Sequence, residues 1–337
     1  MRICILGAGA IGSHFAARLA AAGHEVSVLA RGAQLEALRA NGVTLVSGAE
    51  RVSARVHAAE RAAELGPQDA VLVALKATAL GAAADGLAPL LGADTAVVFC
   101  QNGIPWWYAL GLSPARPRPP DLARLDPDGA LARAVAPERV VGGVVYSANE
   151  VTAPGVVENH TAGRNMLVIG AADDRDWAPV AALRAALEAA KLHSPATGDI
   201  RQALWNKLVL NLASSTLCLL AEDTVAGVSA DPALAAQLER IRAEGRAIAA
   251  AHGVAVENAP RRPGGGPSGA AHKPSLLQDY ERGRAMEIEA QVMAPLAFAR
   301  AAGVPVPALE MAAALAAHKA AARGLYDVSA GSHVGAG

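Results

Sequence analysis

The chain has 337 residues, 53% of them apolar, and its 30 Lys and Arg nearly balance 31 Asp and Glu, for a formal net charge of −1. That length favours two domains, each large enough to bury its own core. A near-neutral balance gives no electrostatic pull towards nucleic acid or an anionic membrane, so neither is an expected partner.

The three cysteines, Cys4, Cys100 and Cys218, form no C-x-x-C pair. Cys4 and Cys100 fall in apolar strand-like runs and read as small core hydrophobes, so no metal site or disulfide framework is expected. The chain begins MRICILGAG, without a charged-then-apolar leader, and its apolar runs are broken before membrane-spanning length. A soluble, cytoplasmic protein is the expectation.

In chain order, residues 2–6 form a short apolar run that ends in GAGAIG and opens a helix-periodic SHFAARLAAAG closed by Gly23. HEVSVLAR reads as a second strand, which makes a βαβ unit. Strand-like runs follow at 70–75, 96–100 and 140–146. Helix-like segments separate the early ones, which predicts an α/β domain with a doubly wound, Rossmann-like parallel sheet. GVVENH and then MLVIG read as a hairpin finishing that sheet. Residues 113–137, rich in Pro, Asp and Arg, look like an insertion or mobile loop. After 197 helical patterns dominate, so the expected division is a cofactor domain 1–197, an all-α domain 198–325 and a flexible tail 326–337. A stretch rich in Gly and Pro, 261–274, interrupts the helical half.

Gly7-Ala8-Gly9-Ala10-Ile11-Gly12 matches G-x-G-x-x-G directly after a strand and at the opening of a helix. The first glycine allows the tight turn, the second lets a pyrophosphate approach the backbone, and the third lets helix and strand pack closely. The helix N-terminus then offers unpaired N–H groups to the anion. The second strand ends at Arg31, where an acidic residue would select the ribose 2′-OH of NAD and an arginine favours the 2′-phosphate of NADP. NADP is therefore the expected cofactor; read otherwise, Arg31 is a solvated strand-end charge.

Residues 202–221, QALWNKLVLNLASSTLCLLA, carry one charge, Lys207. A helix this apolar should be largely buried, and a buried ammonium loses solvation, which lowers its pKa and makes it a better proton donor. Asn211 and Ser215 follow at i+4 and i+8, on the same face. The competing reading is a lysine that snorkels to solvent beside two satisfied core polar groups. Ser275 and Gln278 form S-x-x-Q, a capping-box pattern. The helix expected next carries Glu287 and Glu289. Glu287 is either a ligand carboxylate or one end of an intrahelical pair with Arg284.

With these residues assembled, the chain resembles the ketopantoate reductase family (2-dehydropantoate 2-reductases). The resemblance rests on Gly7–Gly12 with Arg31, Leu75-Lys76, Gln101-Asn102-Gly103, Leu204-Trp205-Asn206-Lys207-Leu208 with Asn211, His272 to Asp279, Gly283-Arg284 leading to Glu287-Ile288-Glu289, and GVPVP at 303–307. It implies reduction of a 2-oxo acid by NADPH in pantothenate and coenzyme A synthesis. Lys207 would be the general acid, and Glu287 would hold the substrate hydroxyl. Asn102, Asn211, Ser215 and Ser275 would orient the substrate, with Asn102 and Lys76 also near the cofactor. A small-molecule 2-oxo acid is the implied partner, and a homodimer is a compatible assembly. Three departures bear on the substrate: Ser215 stands where many members carry Asn, Met286 and Glu289 replace the commoner Thr and Asp, and Ile104-Pro-Trp-Trp-Tyr108 precedes the proline-rich insertion. Trp106, Trp107 and Tyr108 either wall the pocket or pack the insertion. The alternatives to ketopantoate are another 2-oxo acid or hydroxyacid and, outside catalysis, an NADP-binding sensor.

Overall fold

The computed structural model describes residues 1–257 and 273–328, and the chain separates into two units. The first comprises Met1–Gln101 and Gly129–Ile200; the second comprises Asn102–Asp128 and the described residues from Arg201 onwards.

The first unit is built on seven strands: β1 (Arg2–Leu6), β2 (Glu25–Leu29), β5 (His57–Ala59), β6 (Gln68–Val73), β7 (Leu91–Phe99), β8 (Val140–Tyr146) and β11 (Met166–Ala171). Their spatial order is β11-β8-β7-β6-β1-β2-β5, parallel throughout except for β11, which runs antiparallel to β8. The apolar runs read from the sequence are these strands. They are buried on both faces, as expected of a parallel sheet. One face packs its alternating residues, such as Ile3, Ile5, Leu72 and Val98, against α1 (Ala10–Ala21) and α4 (Ala178–Ala189).

Two features depart from the expectation. The run GVVENH does not form a hairpin with MLVIG. Its strand β10 (Val156–Asn159) joins a second sheet in the order β4-β3-β10-β9, with β3 (Val43–Ser47), β4 (Glu50–Ala54) and β9 (Asn149–Ala153). The physical cause lies in α1, whose residues Gly12 to Leu19 are all buried. A helix buried all round needs cover on both sides, and β3, β4, β9 and β10 supply it opposite the large sheet. The crossover from β6 to β7 is the other departure, since it runs through short 3-10 turns between Ala77 and Leu90 instead of an α-helix.

The second unit is helical: α5 (Ile200–Ala221), α6 (Val225–Ala230), α7 (Pro232–Ala251), α8 (Ser275–Glu281), α9 (Ala294–Ala301) and α10 (Pro307–Ala321), following α2 (Gly32–Asn41) and α3 (Ala130–Ala134) of the first unit. Its core gathers on Phe298, whose ring meets Tyr108, Trp205 and His252 edge-on at 4.9, 5.7 and 4.7 Å. Helix α5 is long and apolar enough to cross a membrane, contrary to the reading of broken apolar runs. Two thirds of its apolar window is buried inside the protein, as in a core helix.

The chain passes between the two units at Ile200, and also at Gln101 and Asp128. The first part of the 113–137 insertion thus belongs with the helices. The segment leading into it is held by Arg201, fully buried, which donates to the Tyr108 and Leu110 carbonyls at 2.9 and 2.6 Å. The expected flexible tail is tied down at its start, where the Met286 N–H donates to Leu325 O at 2.9 Å and the Tyr326 hydroxyl bonds Glu289. Residues 329–337 of that tail, and 261–272 of the stretch rich in Gly and Pro, lie outside the described residues.

Candidate active site

At the carboxyl edge of the large sheet, the loop from Gly7 to Gly12 joins β1 to α1. Gly7 has φ +106°, a backbone that side chains rarely adopt, and a Cβ there would lie 2.7 Å from Leu75 Cδ2. A Cβ at Gly12 would lie 1.9 Å from the Gly7 carbonyl oxygen, whereas at Gly9 it would meet nothing within 4 Å. The turn and the close packing are thus enforced at the two outer glycines, and open space is left at the middle one. Gly9 caps α1, whose first turn has no acidic residue, so Ala10 and Ile11 present N–H groups without helical acceptors. These residues fit a dinucleotide pyrophosphate.

The parallel register aligns Leu29, Leu6, Val73 and Phe99 across β2, β1, β6 and β7. Arg31, Gly7, Lys76 and Gln101 therefore all follow their strands at one edge, with the topological switch between β1 and β6, where open α/β sheets bind ligands. Arg31 caps α2, and its exposed guanidinium has no partner among the described residues. Lys76 is half-buried just past β6. Gln101 ties the ends of two strands together through bonds to Val73 O at 2.9 Å and Leu75 O at 2.8 Å.

In the helical unit, Lys207 is half-buried on α5 and donates through Nζ to Asn102 Oδ1 at 2.5 Å. It neither lies in the core nor snorkels away: a residue 105 positions earlier holds its ammonium. Asn211 is half-buried and Ser215 fully buried, one and two turns further along the same helical face.

Glu287 is buried, and its Oε2 accepts from Gln291 Nε2 at 3.2 Å. It is not within an α-helix and forms no ion pair with Arg284, which is exposed. It stands just before a π-helical turn, Glu289–Met293. The sequence cause is Pro295. Proline has no N–H and crowds the carbonyl four residues before it, so the regular ladder fails and the Ala294 N–H reaches back five residues to Glu289 O. The Ala290 carbonyl, which Pro295 cannot serve, accepts instead from the Ile104 N–H at 2.8 Å. This approach requires Gly103, at φ +86°, because a Cβ there would be 2.3 Å from Ala290 O. The Asn102-Gly103 pair thus reaches Lys207 with one residue and the turn after Glu287 with the next.

Ser275 is half-buried at the first position of α8, but the capping box is absent. Pro274 is the cap, and Gln278 turns its amide to Lys273 O at 2.8 Å. Trp107 and Tyr108 are buried packing, with the Trp205 indole donating to the Tyr108 hydroxyl at 2.9 Å, whereas Trp106 is half-buried. The sequence reading missed Arg201, Arg124 and Tyr326. Only Arg201, a cation entering an apolar helix, left a signal. Two of the thiols are poor nucleophiles, since burial pushes Cys4 up to about 12 and Cys218 up to about 11.

Comparison with known proteins gives the family. Residues 3–116 match the family model "Ketopantoate reductase PanE/ApbA" and 199–320 match its C-terminal counterpart. A 2-dehydropantoate 2-reductase of Mesorhizobium japonicum is 41% identical over 97% of this chain and its own full length. A protein of Ralstonia solanacearum MolK2, solved under the provisional name of ketopantoate reductase, is 34% identical over 96% of this chain and 99% of its own, with a TM-score of 0.82. The solved 2-dehydropantoate 2-reductase of Geobacter metallireducens is 29% identical over 94% and 99%, with a TM-score of 0.77. With both halves matched in order and a relative this similar along its whole length, the chain belongs to the ketopantoate reductase family of oxidoreductases.

Proposed function

We propose that this protein reduces 2-dehydropantoate to pantoate with NADPH, a step in pantothenate synthesis. The observation that carries the proposal is the bond from Lys207 to Asn102. It holds an ammonium in place through a side chain amide whose neighbour is anchored to the Glu287 turn. When bound, the nicotinamide cofactor would supply the hydride for the C2 carbonyl carbon. Lys207 delivers the proton to the carbonyl oxygen, and its charge stabilises the alkoxide as it develops. Asn102 accepts from Lys207 and so keeps its own amide N–H groups for ligand. Glu287 accepts a bond from the substrate hydroxyl, while Asn211, Ser215 and Ser275 complete the polar contacts.

On the nucleotide, Gly7, Ala8, Gly9, Ala10, Ile11 and Gly12 hold the pyrophosphate against the start of α1. Arg31 pairs with the 2′-phosphate, and Lys76 adds a second cation at the same sheet edge. The protein supplies position and charge for chemistry that belongs to the cofactor.

The test is a steady-state assay that follows NADPH and NADH consumption with 2-dehydropantoate, pyruvate and branched or aromatic 2-oxo acids. The proposal requires the highest kcat/KM for 2-dehydropantoate with NADPH. A higher value for another acid reassigns the substrate, and no turnover with any acid removes the catalytic reading.

A further inference from the structure

Three segments far apart in the chain meet beside Glu287. Arg124, in the proline-rich insertion, pairs with Glu289 at 2.9 Å and also donates to the Tyr326 hydroxyl at 3.1 Å. The Tyr326 hydroxyl in turn donates to the same Glu289 oxygen at 2.6 Å, and the Arg124 guanidinium lies 5.8 Å from the Tyr326 ring centre. One residue before Tyr326, the Leu325 carbonyl accepts from the Met286 N–H. The residue before Glu287 and the second residue after it are therefore both fastened to one short stretch, 325–326. Burial and the Glu289 carboxylate push the Tyr326 phenol well above its ordinary value, so it remains a donor throughout the neutral range.

Glu289 is two residues from Glu287 and so faces a different direction. Its charge is neutralised by Arg124 and is not offered to a ligand. From the other side the same turn is fixed by the bond from Ile104 to Ala290 O. Glu287 thus stands on a backbone fastened at residues 286, 289 and 290.

We propose that Arg124, Glu289 and Tyr326 are positioning residues that fasten the insertion and the 325–326 stretch to the π turn, and so set the Glu287 carboxylate for substrate binding. This inference rests on Glu287 holding the substrate in the function proposed above. None of the three touches the substrate. They act by restricting the turn that bears the residue that does.

The experiment compares full-length wild type with Tyr326→Phe, which keeps the ring and removes the hydroxyl, and with Glu289→Gln. The expected result is a five- to tenfold rise in KM for 2-dehydropantoate, with kcat within twofold and the NADPH Kd unchanged. Amide hydrogen exchange should quicken at 286–290 and at Ile104 but not along α7. Unchanged KM and exchange in both variants overturn the proposal. So does a parallel rise of KM and the NADPH Kd with faster exchange everywhere, which marks a merely structural role. If wild type reduces no 2-oxo acid, the functional reading fails separately. Local exchange then decides the clamp: faster at 286–290 upholds it, and unchanged overturns it.

Discussion

Lys207 shows how one residue gains its chemistry from its neighbours: an ammonium on a mostly apolar helix, held by Asn102 at 2.5 Å. Replacing it with Ala should lower kcat by roughly three orders of magnitude, the combined loss of a proton donor and of alkoxide stabilisation. NADPH binding, followed by fluorescence titration, should stay within twofold, and wild-type turnover in this variant would falsify the role. Arg31→Asp should shift the kcat/KM preference from NADPH towards NADH by a factor of about ten or more, since it swaps a phosphate partner for a ribose hydroxyl acceptor. An unaltered preference would mean that the 2′-phosphate is read elsewhere. Both residues stood out in the sequence because their signals are local: one follows a strand, and the other breaks an apolar helix. The bonds of Arg201 and Arg124 did not, because their partners lie about 90 and 200 positions away. No local pattern encodes such a meeting.

At the scale of elements, the glycine loop and the turn after Glu287 are both set by what the backbone can bear. Gly12→Ala would place a methyl 1.9 Å from the Gly7 carbonyl. It should abolish NADPH binding in a titration and lower unfolding stability by about 2 kcal/mol or more. Pro295→Ala restores an N–H that the Ala290 carbonyl can use, in competition with Ile104. A KM for 2-oxo acid raised severalfold with NADPH affinity unchanged is the expected outcome, and unchanged kinetics would detach the π turn from substrate binding. The strands, α1 and α5 were legible from periodicity and from the glycines. The second sheet was not. Its strands are short and half-exposed, and the demand for them comes from α1, which needs cover on the face away from the large sheet. Glu287 was found in the sequence but placed on a helix, because the π turn follows from the failure of a hydrogen-bond ladder and not from apolar spacing.

For the molecule as a whole, His14 predicts acid sensitivity. It is fully buried in α1, and burial, helped by the nearby Arg18 charge, pushes it down to about 3 from an ordinary 6.5. Between those values the unfolded chain binds a proton that the folded protein does not, so stability rises with pH through this window and is lost as pH falls. The slope should reach about 1.4 kcal/mol per pH unit at most. Thermal unfolding from pH 7 to pH 4 should show Tm falling in wild type and falling less in His14→Leu; equal slopes would show that other groups carry the acid response. The sequence by itself determined the α/β unit with its glycine loop and the helical second unit, and it singled out Lys207 and Glu287 as candidates. These are set by short-range rules of backbone sterics and periodicity. Only the tertiary structure decided that Asn102 holds Lys207, that Arg201 fixes the segment leading into the insertion, and that residues 325–326 fasten the Glu287 turn. Each is a bond between segments far apart in the chain, and its energy exists only once packing has excluded water and fixed both partners.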